Sequence, residues 1–313
     1  MRALFRRRFA VSLFAAAVFL LGFFHESSAQ VNSVSSRRDT RDTRGNTRYG
    51  VLIAGLDSDP QSSDRDRRTD AHTDTLVLLT SQTGSGVVDA LHIPRDTRVL
   101  EPGIGFIKIN GIYMNEGRQG LRRAVSKLTG IPVNAVLLLD FFRFRQAVAL
   151  AGSVPFAVDR PIWDPEGDVA LPAGWRRLTP RQALAVVRFR HEPLGDIGRV
   201  HRQERFMRRA VTIAAHMPLA VFIKVMRTLD AQVSERETLL AYSLVHPLVL
   251  YRAHSVPGNF STGPGASYWL PDQTGVQTIA EFVLGKSALV PAFAHWRNNA
   301  AIRDADDGRD RSR

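Results

Sequence analysis

Short apolar runs and helical stripes alternate along most of this chain. Residues 49–56 (YGVLIAGL) are apolar and end in a glycine–leucine pair, the composition of a buried strand. Residues 75–80 (TLVLLT) and 87–93 (VVDALHI) predict two more strands, joined as a hairpin through a turn at Gly84, Ser85 and Gly86. Leu121, Ala124, Val125 and Leu128 share one helical face, and Gly130 supplies the stop. Residues 133–139 and 152–158 read as strands, and 141–150 as a helix. Thr179 followed by Pro180 opens a helix that runs through Ala183 and Leu184. Residues 186–190 read as extended, and a long helix follows from about Gly198 to Ala215. Two further helical patterns and the segment 267–270 complete the folded part near Leu289. Strands interleaved with helices predict the α/β class, with helices on both faces of one sheet.

The chain ends read differently. Arg2, Arg6, Arg7 and Arg8 precede an apolar run from Phe9 to Phe24, and Ser27, Ser28 and Ala29 follow. That order of basic, apolar and small residues is a secretory signal. The run is short for a spanning helix but leaves an N-terminal anchor open. Its basic flank predicts export of everything after it. The partition is therefore 1–29 signal peptide or membrane anchor, 30–48 polar linker, 49–290 folded domain, and 291–313 polar tail.

Composition narrows the chemistry. The 313 residues contain no cysteine, which excludes disulfides, thiolate metal sites and a cysteine nucleophile. A formal charge of +12, mostly from arginine, suits an anionic partner as much as it suits a codon bias toward arginine. The sequence has no P-loop, no G-x-S-x-G elbow and no H-E-x-x-H helix.

Four polar patches remain. Asp57, with Asp59 nearby, follows the first strand, where α/β proteins open a ligand crevice. Arg65, Arg67, Arg68, Asp70, His72 and Asp74 precede the second strand; such carboxylates suit Mg2+ that takes its other ligands from phosphate, or a salt-bridged loop. The third strand ends at His92, Ile93 and Pro94 and delivers Arg95 and Asp96; Lys108 and Asn110 fall on one face if their segment is extended. In the fourth patch, Arg188 and Arg190 share a strand face, and Arg199, Arg202, Gln203 and Phe206 share a helical face, with Arg199 in the first turn. Two such arginine-bearing elements, joined by a turn containing Gly198, form a candidate pyrophosphate clamp. Salt-bridged surface elements and a nucleic-acid patch are the competing readings.

In combination and in this order, these patches resemble the LytR-CpsA-Psr family. The matching residues are Gly55, Leu56 and Asp57; Thr73, Asp74 and Thr75; Ile93 to Asp96; Lys108, Ile109, Asn110 and Tyr113; and residues 187–203 with Arg188, Arg190, Asp196, Arg199, Arg202 and Gln203. The resemblance implies a three-layer α/β/α sandwich with a central mixed sheet, outside the membrane. It implies a phosphotransferase that moves a glycopolymer from a polyprenyl-pyrophosphate-linked donor to peptidoglycan, with Mg2+. It assigns the metal to Asp57 and Asp74 and phosphate contacts to Arg95, Arg188, Arg190 and Arg199. The polyprenyl chain would lie in an apolar tunnel, for which Phe141, Phe142 and the Val211 to Phe222 segment are candidates. His72 departs from the family, which usually has arginine there, and histidine holds its charge only part of the time near neutral pH.

The mechanism expected on this basis uses Asp74, Arg95, Asp96 and Arg190 at the reacting centre. Lys108, Arg188, Arg199, Arg202 and Gln203 join Arg95 and Arg190 in gripping the pyrophosphate. Two rivals share the residues: a polyprenyl-pyrophosphate hydrolase, and a non-catalytic binder of anionic envelope polymer. The export signal argues against nucleic acid as partner.

Overall fold

The structure, a computed structural model, describes residues 48–56, 72–82, 85–164, 169–189, 195–261 and 267–286, with the backbone alone for 195–197. The expected signal segment and tail, and the linker up to residue 47, lie outside the described residues, as do Asp57, Asp70 and Arg190; the last linker residue, Arg48, already belongs to a strand. No described helix is long and apolar enough to cross a membrane.

Five strands form the central sheet: β1 (Arg48–Leu56), β2 (Thr73–Gln82), β3 (Val87–Ile93), β6 (Ala135–Leu139) and β11 (Leu250–Ser255), in the order β11-β3-β2-β1-β6. Strand β2 runs antiparallel to both neighbours, while β6 is parallel to β1 and β11 parallel to β3. The sheet is mixed, as expected. Strand β11 has no counterpart among the elements read from sequence.

Alternation sorts the sheet's side chains into two cores. Leu52, Leu76, Leu78, Leu91 and Leu138 face helices α1 (Ile112–Thr129) and α7 (Gln273–Val283). Val51, Val77, Leu79, Ala135 and Leu137 face α4 (Gly195–Ala214), α5 (Leu219–Leu229) and α6 (Glu235–Val245). The unbroken apolar run of β2 is thus explained: successive residues are buried on opposite faces. The result is the three-layer α/β/α sandwich. Gly50 is obligatory in β1, because a Cβ there would stand 2.2 Å from the carbonyl oxygen of Pro132.

A third core lies beside the sandwich. Helix α2 (Phe141–Ala151) and helix α3 (Pro180–Arg188) pack on strand pairs β7 (Val154–Val158) with β10 (Gly174–Leu178) and β8 (Ile162–Asp164) with β9 (Val169–Leu171). Two small hairpins complete the described fold: β4 (Arg98–Glu101) with β5 (Gly105–Lys108), and β12 (Gly258–Phe260) with β13 (Trp269–Pro271).

Three local expectations need correction. Residues 186–188 are not extended: α3 continues to Arg188, with Phe189 as its C-cap, and Ala183 to Val186 are all buried. Thr179 starts this helix with a full capping box, its hydroxyl accepting from Gln182 N. Helix α4 begins at Gly195, so Arg199 sits in its second turn rather than its first. Asn110 lies in a 3-10 turn, Ile109–Gly111, so the extended segment stops at Lys108 and the two do not share a strand face.

One buried ion pair fastens the open edge of the sheet. Among the described residues strand β6 pairs only with β1, and the Leu138 N–H is taken by Asp230, 3.0 Å away at the end of α5. The same carboxylate accepts from Arg118 of α1 at 2.6 and 3.0 Å and from Gln232 N at 3.0 Å. Burial raises the Asp230 carboxyl, but Arg118 and the two backbone N–H groups outweigh it and hold the group below its ordinary range. Replacing Asp230 by Asn is expected to cost about 3–5 kcal/mol, by stranding the Arg118 charge; the measurement is the urea midpoint at neutral pH. Because the folded value is depressed, the wild-type advantage holds above the ordinary carboxylate range and disappears as pH falls through the depressed value.

Candidate functional site

The site begins where the ladder between β2 and β3 runs out. Leu76 faces Ile93 in that antiparallel register, so Asp74 and Arg95, each two residues further along, emerge side by side. Arg95 Nη1 meets Asp74 Oδ1 at 2.7 Å. The turn that presents Arg95 is held on all sides: Thr97 N donates to Pro94 O at 3.0 Å, Asn110 N to Arg95 O at 3.2 Å, and Trp269 N to Asp96 O at 2.9 Å. Asp96 then receives Lys108 Nζ at 2.8 Å, with Arg95 Nε at 3.7 Å. Asp74, Arg95, Asp96 and Lys108 form one chain of alternating charge, each side chain between 22 and 33% exposed. Partly wet pairs of this kind hold each other weakly and can be re-formed around an incoming anion.

The second half of the site is the junction between α3 and α4. A helix C-terminus leaves carbonyls without partners. Here Arg202 Nε donates to Val186 O at 3.0 Å, Arg202 Nη2 to Phe189 O at 2.6 Å, and Gln203 Nε2 to Val187 O at 3.0 Å. Arg202 is 2% exposed and fills the space between the two helices. This gives it a structural duty that the expected phosphate role did not foresee. Arg188, in the last turn of α3, lies over the Phe141 ring at 4.8 Å.

Between these halves lies a cavity of about 450 Å3. Asp74, Thr75, Asp140, Asp164, Arg188, Arg199 and Gln203 are its polar lining. Ile53, Leu139, Phe141, Phe144, Leu184 and Phe206 are among its apolar walls. Thr75 Oγ1 and Gln203 Oε1 stand 3.5 Å apart and tie β2 to α4 across it. The arrangement suits an amphiphile: an anionic group against Arg188 and Arg199, an apolar chain against the aromatic and aliphatic wall.

The expected residues divide as follows. Asp74, Arg188, Arg199 and Gln203 line the cavity together, and Arg95, Asp96 and Lys108 join them through Asp74. Arg202 stands behind the wall. Asp57 and Arg190, and the side chain of Asp196, lie outside the described residues. Phe141 lines the cavity, whereas Val211 and Phe222 belong to the core under the sheet, so the expected tunnel segment does not run there. Sequence reasoning missed Phe144, Trp163 and Asp164; Phe144 sits on the cavity-facing stripe of a helix already recognised, and nothing local marks the other two.

The donor set can be tested against Mg2+. No group of three His, Asp or Glu side chains is gathered for a metal among the described residues. Three carboxylates, Asp74, Asp140 and Asp164, line the cavity without being gathered into one cluster, and Asp74 fits an ion that takes most of its ligands from phosphate and water.

Relatives place this geometry in context. The cell wall biosynthesis protein LcpA of Corynebacterium glutamicum is 32% identical over 196 residues, which cover 53% of this chain and 36% of LcpA. The regulatory protein MsrR of Staphylococcus aureus is 30% identical over 162 residues, 51% of this chain and 47% of MsrR. The chain thus matches less than half the length of either relative. Among solved structures, protein gbs0355 of Streptococcus agalactiae superposes with a TM-score of 0.64 at 20% identity, covering 79% of this chain and 91% of that one. TagT bound to LI-WTA gives 0.61 at 20% identity, with 82% and 100% covered. These structures share the fold. The sequence model of the LytR_cpsA_psr family matches residues 18–280, and the chain belongs to that family.

Proposed function

We propose that this protein transfers a glycopolymer from a polyprenyl-pyrophosphate-linked donor to peptidoglycan, on the outer side of the cell membrane, leaving a phosphodiester link. The observation that carries this reading is that one cavity has arginines at one wall and aromatic and aliphatic side chains at the others. A soluble anion would need only the first, and a free lipid only the second. The apolar run at the N-terminus supports an exported, membrane-associated location.

In this reading Arg188 and Arg199 bind the donor's phosphates, and the polyprenyl chain packs on Phe141, Phe144 and Leu184. Arg95 leaves its pair with Asp74 to share the anionic charge, while Lys108 keeps Asp96 in place. An acceptor sugar hydroxyl attacks the glycan-side phosphorus. The new P–O bond to the acceptor forms as the bond to the bridging oxygen breaks, and polyprenyl phosphate leaves. Asp74 faces the cavity and is the better placed carboxylate to take the hydroxyl's proton. Mg2+ held by Asp74, with Asp57 as the expected second carboxylate, would neutralise charge on the departing phosphate.

Arg188→Ala is expected to lower transfer about a hundredfold or more while leaving thermal stability near wild type, the usual scale for losing one cationic contact in a transition state. Arg202→Met is expected to do the reverse in kind. It strands two buried carbonyls and should destabilise the fold by about 1–3 kcal/mol. Transfer of radiolabelled glycan to peptidoglycan and thermal unfolding, run on both variants, check the pair. Phosphate release without an acceptor, at the rate of transfer with one, would replace the transferase by a hydrolase. Mass spectrometry of protein extracted from membranes should find a bound polyprenyl phosphate or pyrophosphate.

A further inference from the structure

Behind the cavity wall, three polar side chains converge without partners. His92 Nε2 on β3, Glu204 Oε1 on α4 and the Tyr251 hydroxyl on β11 are buried and make no hydrogen bond. All three side chains come from residues more than nine-tenths buried. Glu204 Oε1 is 3.9 Å from His92 Nε2, about an ångström beyond hydrogen-bond length, so a small rotation of the carboxyl closes the gap. Arg208, one turn further along α4, lies over the Tyr251 ring at 5.6 Å. Helices α5 and α6 turn Phe222, Met226, Leu244 and Val245 toward the same core, and among the described residues His92, Tyr251 and Arg208 are titratable groups that interact with Glu204.

Both residues of the pair have neighbours in the site. His92 stands three residues before Arg95 on the strand that delivers it, and Glu204 adjoins Gln203 and lies little more than a turn from Arg199. We propose that Glu204 and His92 are positioning residues: one proton held between the carboxyl and the imidazole clamps α4 onto β3, and so sets Arg199 and Gln203 against Arg95. The proposal rests on the reading of the cavity as a phosphate site.

The charges support a shared proton. Burial pushes the Glu204 carboxyl up to about 7, against the pull of Arg208. Burial pushes the His92 imidazole down to about 4. Unfolded, the same two groups titrate near their ordinary 4.5 and 6.5. Between those ordinary values the pair holds one proton in either state, and folding moves it from nitrogen to oxygen. The neutral carboxyl then donates to the neutral imidazole. As pH rises through about 7 the folded pair loses that proton; the bond across the pair then survives only where the imidazole carries its proton on Nε2, and the Tyr251 hydroxyl and Arg208 compete for the carboxylate.

The test uses the full chain in detergent, with inorganic pyrophosphate as probe, at about pH 6 and about pH 8.5, on either side of the Glu204 transition. At the lower pH the infrared spectrum should carry a protonated-carboxyl band that is lost in Glu204→Gln and titrates away by the higher pH. Amide-exchange protection over residues 199–207, corrected for intrinsic rates, should fall about tenfold in wild type across the same interval, about one hydrogen bond's worth. Glu204→Gln, whose amide donates to His92 at every pH, should hold its protection throughout. Pyrophosphate affinity of the two proteins should match at the lower pH, with wild type about tenfold weaker at the higher. Glu204→Leu should behave at both pH values like wild type at the higher one. No carboxyl band, or identical pH behaviour of wild type and Glu204→Gln, overturns the clamp and leaves the phosphate site standing. Failure of both proteins to bind pyrophosphate, with the band and the exchange pattern as expected, overturns the phosphate site and with it the positioning role.

Discussion

The antiparallel register of β2 against β3 is the constraint on which the rest of the site depends. Strand β2 is the middle of the five-stranded sheet, and its centre of three leucines and one valine is buried on both faces. A slip of one residue would exchange the two cores and is therefore prohibited by the packing of every helix in the sandwich. With the register locked, Asp74 and Arg95 have to leave the sheet at the same point, and their 2.7 Å contact follows. The charged half of the site is thus a consequence of where an apolar ladder stops.

The other half depends on a different economy. Helix α3 ends inside the protein, and carbonyls there would be stranded without donors. Arg202 and Gln203 supply those donors, which fixes the angle and height of α4 relative to α3. Arg188 and Arg199, one on each helix, then face the same cavity. An arginine that looked like a ligand for the substrate instead builds the wall from which its neighbours reach out. The distinction matters energetically: a buried guanidinium bonded to backbone carbonyls contributes to the fold, whereas one lining the cavity can also meet an anion there.

Much of the sandwich was legible in the sequence because alternation and capping are local. The three leading strands, the capping box at Thr179 and the glycine stop at Gly130 all announce themselves within a few residues. The misreading at 186–188 has a physical cause. Val187, Arg188, Phe189 and Arg190 alternate as a strand would, but Ala183 to Val186 are all buried, and that apolar surface carries α3 one turn further. Strand β10 was invisible because four of its five residues, including Trp175, face solvent and carry no inward pattern. Glu204 gave no signal either. Its burial depends on β3, β11 and α4 meeting, which are far apart in the chain.

Helix α4 joins these threads, because its two stripes do different work. Arg199, Gln203 and Phe206 border the cavity, while Glu204, Arg208 and Val211 turn toward β3, β11 and the core below. The helix therefore cannot shift to improve its grip on one side without disturbing the other. A site that must hold both a phosphate and an apolar chain benefits from such coupling. Electrostatic contacts tolerate little displacement of a guanidinium, whereas an aliphatic wall tolerates much more. Placing a polar contact on the rear of the helix, rather than a purely apolar one, sets its position by direction as well as by area. That difference is what makes the rear of α4 as informative about the site as the wall it presents to the cavity.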